Sequence, residues 1–253
     1  MMNWSFQLYS ARKFTPWEEV LAMVAEAGYA EVEGFGALYA DIEPARLREL
    51  LDRSRLIMPT GHFALDLLES DFTGAEKIAK TLGITTMVCP FLMPEKRPGD
   101  AAGWRDFARK LETVGQRCRH AGFGFAWHNH DFEFVSLADS TIPQKIILEE
   151  APSIGWEIDV AWVIRGGSDP NEWIGRYGSR IVAVHVKDIA PAGENADEDG
   201  WADVGHGTVD WPGLLESLRA KTPARHLIVE HDNPGDAARF ARRSIASLRA
   251  FQE

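Results

Sequence analysis

The chain has 253 residues, 45% hydrophobic and 26% charged, the balance of a globular protein rather than a disordered or fibrous one. Its 27 basic and 38 acidic residues leave a net charge of −11, which argues against a nucleic-acid or anionic-membrane partner, since both reward a basic surface. Cys89 and Cys118 form no CxxC pair, residues 1–10 lack the regions of a signal peptide, and no apolar run is long enough to span a membrane, so the expectation is a cytoplasmic protein with reduced thiols.

Short apolar runs alternate with amphipathic ones along the whole chain. A strand-like run at 4–9 precedes a helix over 16–27, which stops at Gly28. A strand at 30–33 precedes a helix over 44–53, and a strand at 56–63 precedes a helix over 73–82, stopped by Gly83. The strand at 84–90 leads to a long helix over 101–121, closed by Gly122. The pattern repeats as 123–128 with 143–150, 154–159 with 170–177, 181–187 with 211–220, and 225–230 with 234–251. These are eight βα units of about 32 residues, the size of one βαβ step. They predict an α/β chain, a single (β/α)8 TIM barrel over 1–253. A doubly wound sheet would carry a glycine-rich phosphate turn after its first strand, and residues 11–13 are Ala-Arg-Lys instead. The acidic segment 191–201 is expected as a mobile loop over the rim.

In such a barrel the chemistry gathers where the strands end. The second strand ends in Glu33 and the third at His62. The fifth runs into Trp127-His128-Asn129-His130-Asp131-Phe132-Glu133, and the sixth ends in Asp159. The seventh ends in His185-Val186-Lys187-Asp188 and the eighth in Glu230-His231-Asp232. Each of these alone reads equally as a helix cap, a core imidazole or a solvated rim charge. Together, His128, Asp159, His185 and Glu230 would bury several charges around one axis, a costly arrangement without a counter-cation. Mixed imidazole and carboxylate donors suit Mn, Zn, Co or Fe better than Mg. Lys187 lies two residues from His185 and shares its face of the strand, where it would hold a substrate oxygen. His206, flanked by two glycines, is a candidate pocket residue, and Trp127, Trp162, Trp201 and Trp211 fall near the rim segments, where aromatic faces fit sugar C–H surfaces.

Taken in order, the segments Gly61-His62-Phe63, Trp127 to Phe134, Glu157-Ile158-Asp159-Val160, His185-Val186-Lys187-Asp188, Val204-Gly205-His206-Gly207-Thr208-Val209-Asp210-Trp211 and Val229-Glu230 resemble the xylose isomerase-like TIM-barrel superfamily of sugar isomerases and epimerases. The HNHDFEF run resembles the branch near inosose dehydratase-like and 3-keto-sugar-processing proteins. The resemblance implies one metal ligand from each of strands five to eight. Asp159, His185 and Glu230 match directly. The family's strand-five Glu is His128 here, so His128 is the first choice for the fourth ligand, then Glu133, then His130. It implies His62 as a contact to a sugar hydroxyl or carbonyl; placement at the rim adds Lys187, Glu33, His206 and Trp127 as candidate substrate contacts, and the chemistry casts Glu230 as ligand and base with Glu133 or His130 as partner acid. The implied activity is divalent-metal-dependent isomerisation or epimerisation of a keto-sugar through an enediolate, with elimination or glycoside cleavage as the alternative and a non-catalytic sugar-binding barrel as a second. The substrate is a small carbohydrate, and a homodimer or homotetramer is expected.

Overall fold

In the computed structural model, which describes residues 2–251, eight parallel strands close into a barrel. They are β1 (Asn3–Gln7), β2 (Glu31–Gly34), β3 (Ile57–His62), β4 (Thr86–Cys89), β5 (Gly124–His128), β6 (Gly155–Asp159), β7 (Ile181–Val186) and β10 (His226–Val229). β1 closes the ring by pairing with both β2 and β10. A two-stranded antiparallel hairpin, β8 (Asp188–Ile189) with β9 (Trp201–Ala202), lies outside the ring after β7. The expected (β/α)8 barrel is therefore observed, with every expected strand and long helix present and ends shifted by a few residues. Three short helices were not anticipated: Gly36–Asp41, Leu65–Ser70 and Val160–Arg165. Each has six residues and follows a barrel strand directly, too short for a helical period to emerge from the sequence.

Alternation along the strands divides the molecule into two environments. Val32, Trp127, Ile158, Val184 and Leu227 are wholly buried in the apolar layer between barrel and helices. Their neighbours along the chain, Glu31, Glu33, His128, Glu157, Asp159 and His185, are buried too, but face the barrel axis. The axis is polar from its start. Asn3 Nδ2 donates to Glu31 Oε1 at 2.6 Å, and His226 Nδ1 lies 2.6 Å from Glu31 Oε2.

The segment 191–201, expected as a mobile loop, is held on several sides. Arg165 lies 3.2 Å above the Trp201 ring and donates to the Asp199 carbonyl at 2.9 Å. Glu198 accepts from Arg239 at 2.9 Å and from the Gly235 amide at 2.6 Å, which ties the loop to the last helix, Ala237–Ala250. The following glycine-flanked turn is organised by Asp188. Its carboxylate accepts the amides of Ile189, Gly205, Gly207 and Val209 at 2.9–3.2 Å. A Cβ at Gly207 would collide with Asp188 Oδ1 and the Ile189 carbonyl, which accounts for glycine there.

Replacing Asp188 with Ala leaves four backbone donors without their acceptor, a loss of roughly 2–3 kcal/mol. We expect Tm to fall by about 5–10 °C, measured by thermal unfolding, and a shift under 2 °C would show that the turn holds without this carboxylate.

Candidate active site

The barrel strands end on a layer of ionisable groups. β2 supplies Glu33, β3 His62, β5 His128, β6 Glu157 and Asp159, and β7 His185, while Glu230 follows β10. All are buried. Register places them side by side, with His128 opposite Glu157 and Asp159 opposite His185. Asn129 fixes the β5–β6 junction. Its side chain accepts from the Asp159 amide at 3.0 Å and from Trp156 Nε1 at 2.8 Å, and donates to the Asp159 carbonyl at 3.1 Å.

His185 stands between two groups. Its Nδ1 is 2.8 Å from Glu230 Oε2 and its Nε2 is 2.8 Å from Glu33 Oε1. On the Nε2 side, His62 Nε2 lies 3.0 Å from Glu33 Oε1 and 2.9 Å from Glu157 Oε2, and His128 Nδ1 lies 3.2 Å from Glu157 Oε2. Gln7 donates to Glu33 at 2.8 Å. On the Nδ1 side, Lys187 Nζ is 2.8 Å from Glu230 Oε2, 3.2 Å from Asp159 Oδ2 and 2.9 Å from Asp232 Oδ1. The ammonium also lies over the rings of Trp162 and Trp201 at 5.2 and 4.8 Å.

These contacts sort the titrations. Burial opposes charge on His62, but Glu33 and Glu157 outweigh it and lift its pKa to about 9. Burial likewise opposes a charged His185, and the carboxylates at both nitrogens hold it well above the ordinary value. His128 goes the other way, driven well down by burial and by the neighbouring His185. Burial disfavours the charge on Glu230, yet Lys187 and His185 keep it ionised far below the usual range. Burial raises Asp159 despite the same lysine.

Two sets of buried donors could hold a divalent metal. Asp159, His185 and Glu230 place one ligand atom each within 4.8 Å of one another, and so do His62, His128, Glu157 and His185. The donor chemistry fits such an ion. Glu33 Oε2 and Glu157 Oε1 are buried without a hydrogen-bond partner, and Asp159 Oδ2 has only ion-pair contacts, the nearest with Lys187 at 3.2 Å, states that a cation relieves. His128, read from the sequence as the fourth ligand beside Asp159, His185 and Glu230, falls in the set with His62, Glu157 and His185, and the two sets share His185.

The remaining candidates divide clearly. His62, His128, His130 and Glu230 line one cavity at the barrel mouth together with Trp162 and Asp232. His130 packs against Phe91 at 4.9 Å and Trp162 at 5.3 Å, and burial, reinforced by Lys187, pushes its pKa down to about 3. Glu133 is not among the lining residues. It is buried and accepts the His130 amide at 2.9 Å, closing the turn after β5. Glu33 orients His62 and His185 rather than facing the cavity. Trp127 packs edge-on against Phe107 at 5.2 Å in the helix-facing layer, because its neighbour His128 takes the inward position. His206 is exposed and lies in a separate cleft beside Arg239 and Arg243. Glu157 was not singled out by sequence reasoning. Its signal was present in its spacing of two residues from Asp159, which puts both on one strand face. Asn129 and Gln7 carried no comparable signal.

A family model described as xylose isomerase-like TIM barrel matches residues 21–251. The chain belongs to that family. It is 27% identical over 255 residues to the rhizopine catabolism protein MocC of Rhizobium meliloti, covering 88% of this chain and 77% of that protein. It is 24% identical to an inosose dehydratase of Geobacillus kaustophilus, over 68% of this chain and 62% of that one. Among solved structures, a sugar phosphate isomerase/epimerase of Parabacteroides distasonis superposes with a TM-score of 0.82 at 21% identity, covering 100% of this chain and 96% of that one. The IolI protein, described with a bound zinc atom, superposes with a TM-score of 0.76 at 17% identity, covering 99% and 96%.

Burial raises the Glu133 pKa to about 8. A carboxyl raised on folding gives stability that is complete below its unfolded value of about 4.5 and is lost as pH rises through about 8. The neutral Glu133→Gln variant should match the wild type at pH 5 and exceed its Tm by at least about 2–4 °C at pH 9. A Tm difference that does not change with pH would show that Glu133 is ionised throughout.

Proposed function

We propose that this chain is a divalent-metal-dependent isomerase or epimerase of a keto-sugar or related cyclic polyol, working by removal of a proton from the carbon beside a carbonyl. The observation that carries this reading is the convergence of Asp159, His185 and Glu230 on one point at the cavity that His62 and His128 also line. Asp159, His185 and Glu230 would hold the ion, which when bound supplies Lewis-acid polarisation of the carbonyl and adjacent hydroxyl. Manganese, zinc, cobalt and iron all suit the donors.

The chain's own groups do the rest. Glu230 is held ionised by Lys187 and His185, so it would enter the reaction as the unprotonated carboxylate, although the same contacts lower its basicity. The Lys187 ammonium, fixed among three carboxylates behind the cavity-lining Glu230 and Asp232, would offset the negative charge that develops on the substrate oxygen. His62 and His128 reach substrate hydroxyls from the cavity wall. His130 is neutral and presents an imidazole without charge. Glu33 and Gln7 fix the His185 ring, and a carboxylate on the far nitrogen makes an imidazole a better ligand.

Proton return to the same carbon from the opposite face is epimerisation, and return to the neighbouring carbon is isomerisation. Loss of a β-leaving group from the same intermediate is elimination. This second reading is favoured by the relatives named inosose dehydratase. Both readings share the first step and place the reaction in the cytoplasm, on a small carbohydrate and with no nucleic acid. The separation between them is the product, with or without loss of water.

The shared step is tested by exchange. Incubated in deuterium oxide with keto-sugars and inososes, the protein should place deuterium at the carbon beside the carbonyl. Glu230→Gln should slow that exchange by about 10²–10⁴-fold while circular dichroism stays unchanged. Exchange at the wild-type rate in this variant would remove Glu230 from the role of base. Elemental analysis should find one divalent ion held by Asp159, His185 and Glu230, with occupancy reduced in Asp159→Asn. Full occupancy in Asp159→Asn would move the ion to the His62, His128 and Glu157 set.

A further inference from the structure

The cavity at the barrel mouth is larger than its ionisable cluster needs. Its volume is about 810 Å³, toward the top of the roughly 300–1,000 Å³ of small-molecule clefts. The polar groups described above line one part of it. Another part is walled by Tyr9, which follows β1, and by Trp17 and Phe35, with Phe91, which follows β4, lining the same space. Phe35 meets Tyr9 edge-on at 5.4 Å and Trp17 at a 53° tilt and 6.1 Å, so the three rings are in contact and form an angled apolar wall. Tyr9 and Phe91 are each 37% exposed, among the few large apolar side chains open to solvent.

The wall is built and not left over from loops. The Arg12 guanidinium lies 3.8 Å over the Tyr9 ring, and its Nη1 donates to the Tyr9 carbonyl at 2.9 Å and the Asp232 carbonyl at 2.6 Å. Arg12 thereby fastens the aromatic surface to the segment that carries Glu230. Beside Phe35 the lining continues with Gly36 and Ala37. A Cβ at Gly36 would meet nothing within 4 Å, so open space is kept next to the rings. Flat aromatic faces beside open volume bind flat apolar faces.

We propose that the cavity takes a two-ring substrate, in which a cyclic polyol at the ionisable cluster carries a second ring that packs into the angle between Tyr9, Trp17 and Phe35. This rests on the polyol reading above and narrows its substrate class. An aryl group and a second sugar ring both present an apolar face. The enzyme's substrates are then glycosides or similarly substituted polyols, with the second ring supplying binding energy remote from the reacting carbon.

The test is calorimetric binding to the metal-loaded protein of methyl β-D-glucopyranoside, phenyl β-D-glucopyranoside and methyl β-cellobioside, all locked as acetals with no free carbonyl, so that they report binding without turnover. At least one two-ring probe should bind about tenfold more tightly than the methyl glycoside. The winning probe identifies the second ring. Trp17→Ala should erase that preference and leave methyl glucoside binding unchanged. Tyr9→Ala, at an exposed position, repeats the test if Trp17→Ala fails to fold. Equal affinity for all three probes, a preference that survives both substitutions, or binding by none would overturn the proposal. Deuterium exchange that proceeds alongside such a result would leave the catalytic reading standing. A two-ring preference without exchange would remove the catalytic reading and keep the subsite.

Discussion

Four carboxylates, Glu33, Glu157, Asp159 and Glu230, are buried together at the end of the barrel where the strands finish, and each would be costly there alone. Much of the architecture of the site follows from supplying them with positive charge. Lys187 is the permanent cation, placed between Asp159, Glu230 and Asp232. The imidazoles of His62 and His185 are drawn toward protonation by the carboxylates at their ring nitrogens. A divalent ion on Asp159, His185 and Glu230 would take over part of that duty, and His185 would then serve it as a neutral ligand. The same residues are therefore arranged to tolerate either kind of cation.

The position of His185 makes this workable. One nitrogen addresses Glu230 and the other Glu33, so the ring cannot rotate without breaking two bonds of 2.8 Å. Glu33 is itself held by Gln7 from the adjacent strand, whose register places Gln7 beside Glu33. The orientation of His185 is thus inherited from strand pairing two positions away in the sheet. This is the kind of support that a reacting group on a loop would lack.

The barrel was legible in the sequence because βα alternation is a long-range regularity that survives local ambiguity, and eight units leave few alternatives. Asp159, His185, Lys187 and Glu230 could be read as neighbours because strand ends are where such a barrel gathers its chemistry, and the structure brings them into one buried cluster. Glu157 was less legible, since nothing local distinguishes an inward carboxylate from an outward one until the register is known. Trp127 illustrates the converse. Its neighbourhood suggested a sugar contact, but parity with His128 sends it into the helix-facing layer. The segment 191–201 looked mobile from its glycines and acids. Its restraint comes from Arg165, Arg239 and Gly235, which are distant in sequence and carry no local signal.

The polar axis of the barrel has an implication for how such a protein changes over time. The residues that hold the barrel to its helices and those that form the ionisable cluster occupy alternate positions on the same strands, separated by a wall of backbone. A substitution at Val184 would alter packing, whereas one at His185 would alter chemistry, although the two are adjacent. Folding and reactivity are thus written in interleaved halves of each strand, and the inward half can be rewritten with little penalty to the outward one. A barrel of this design is open to new reactions without first having to become a new fold.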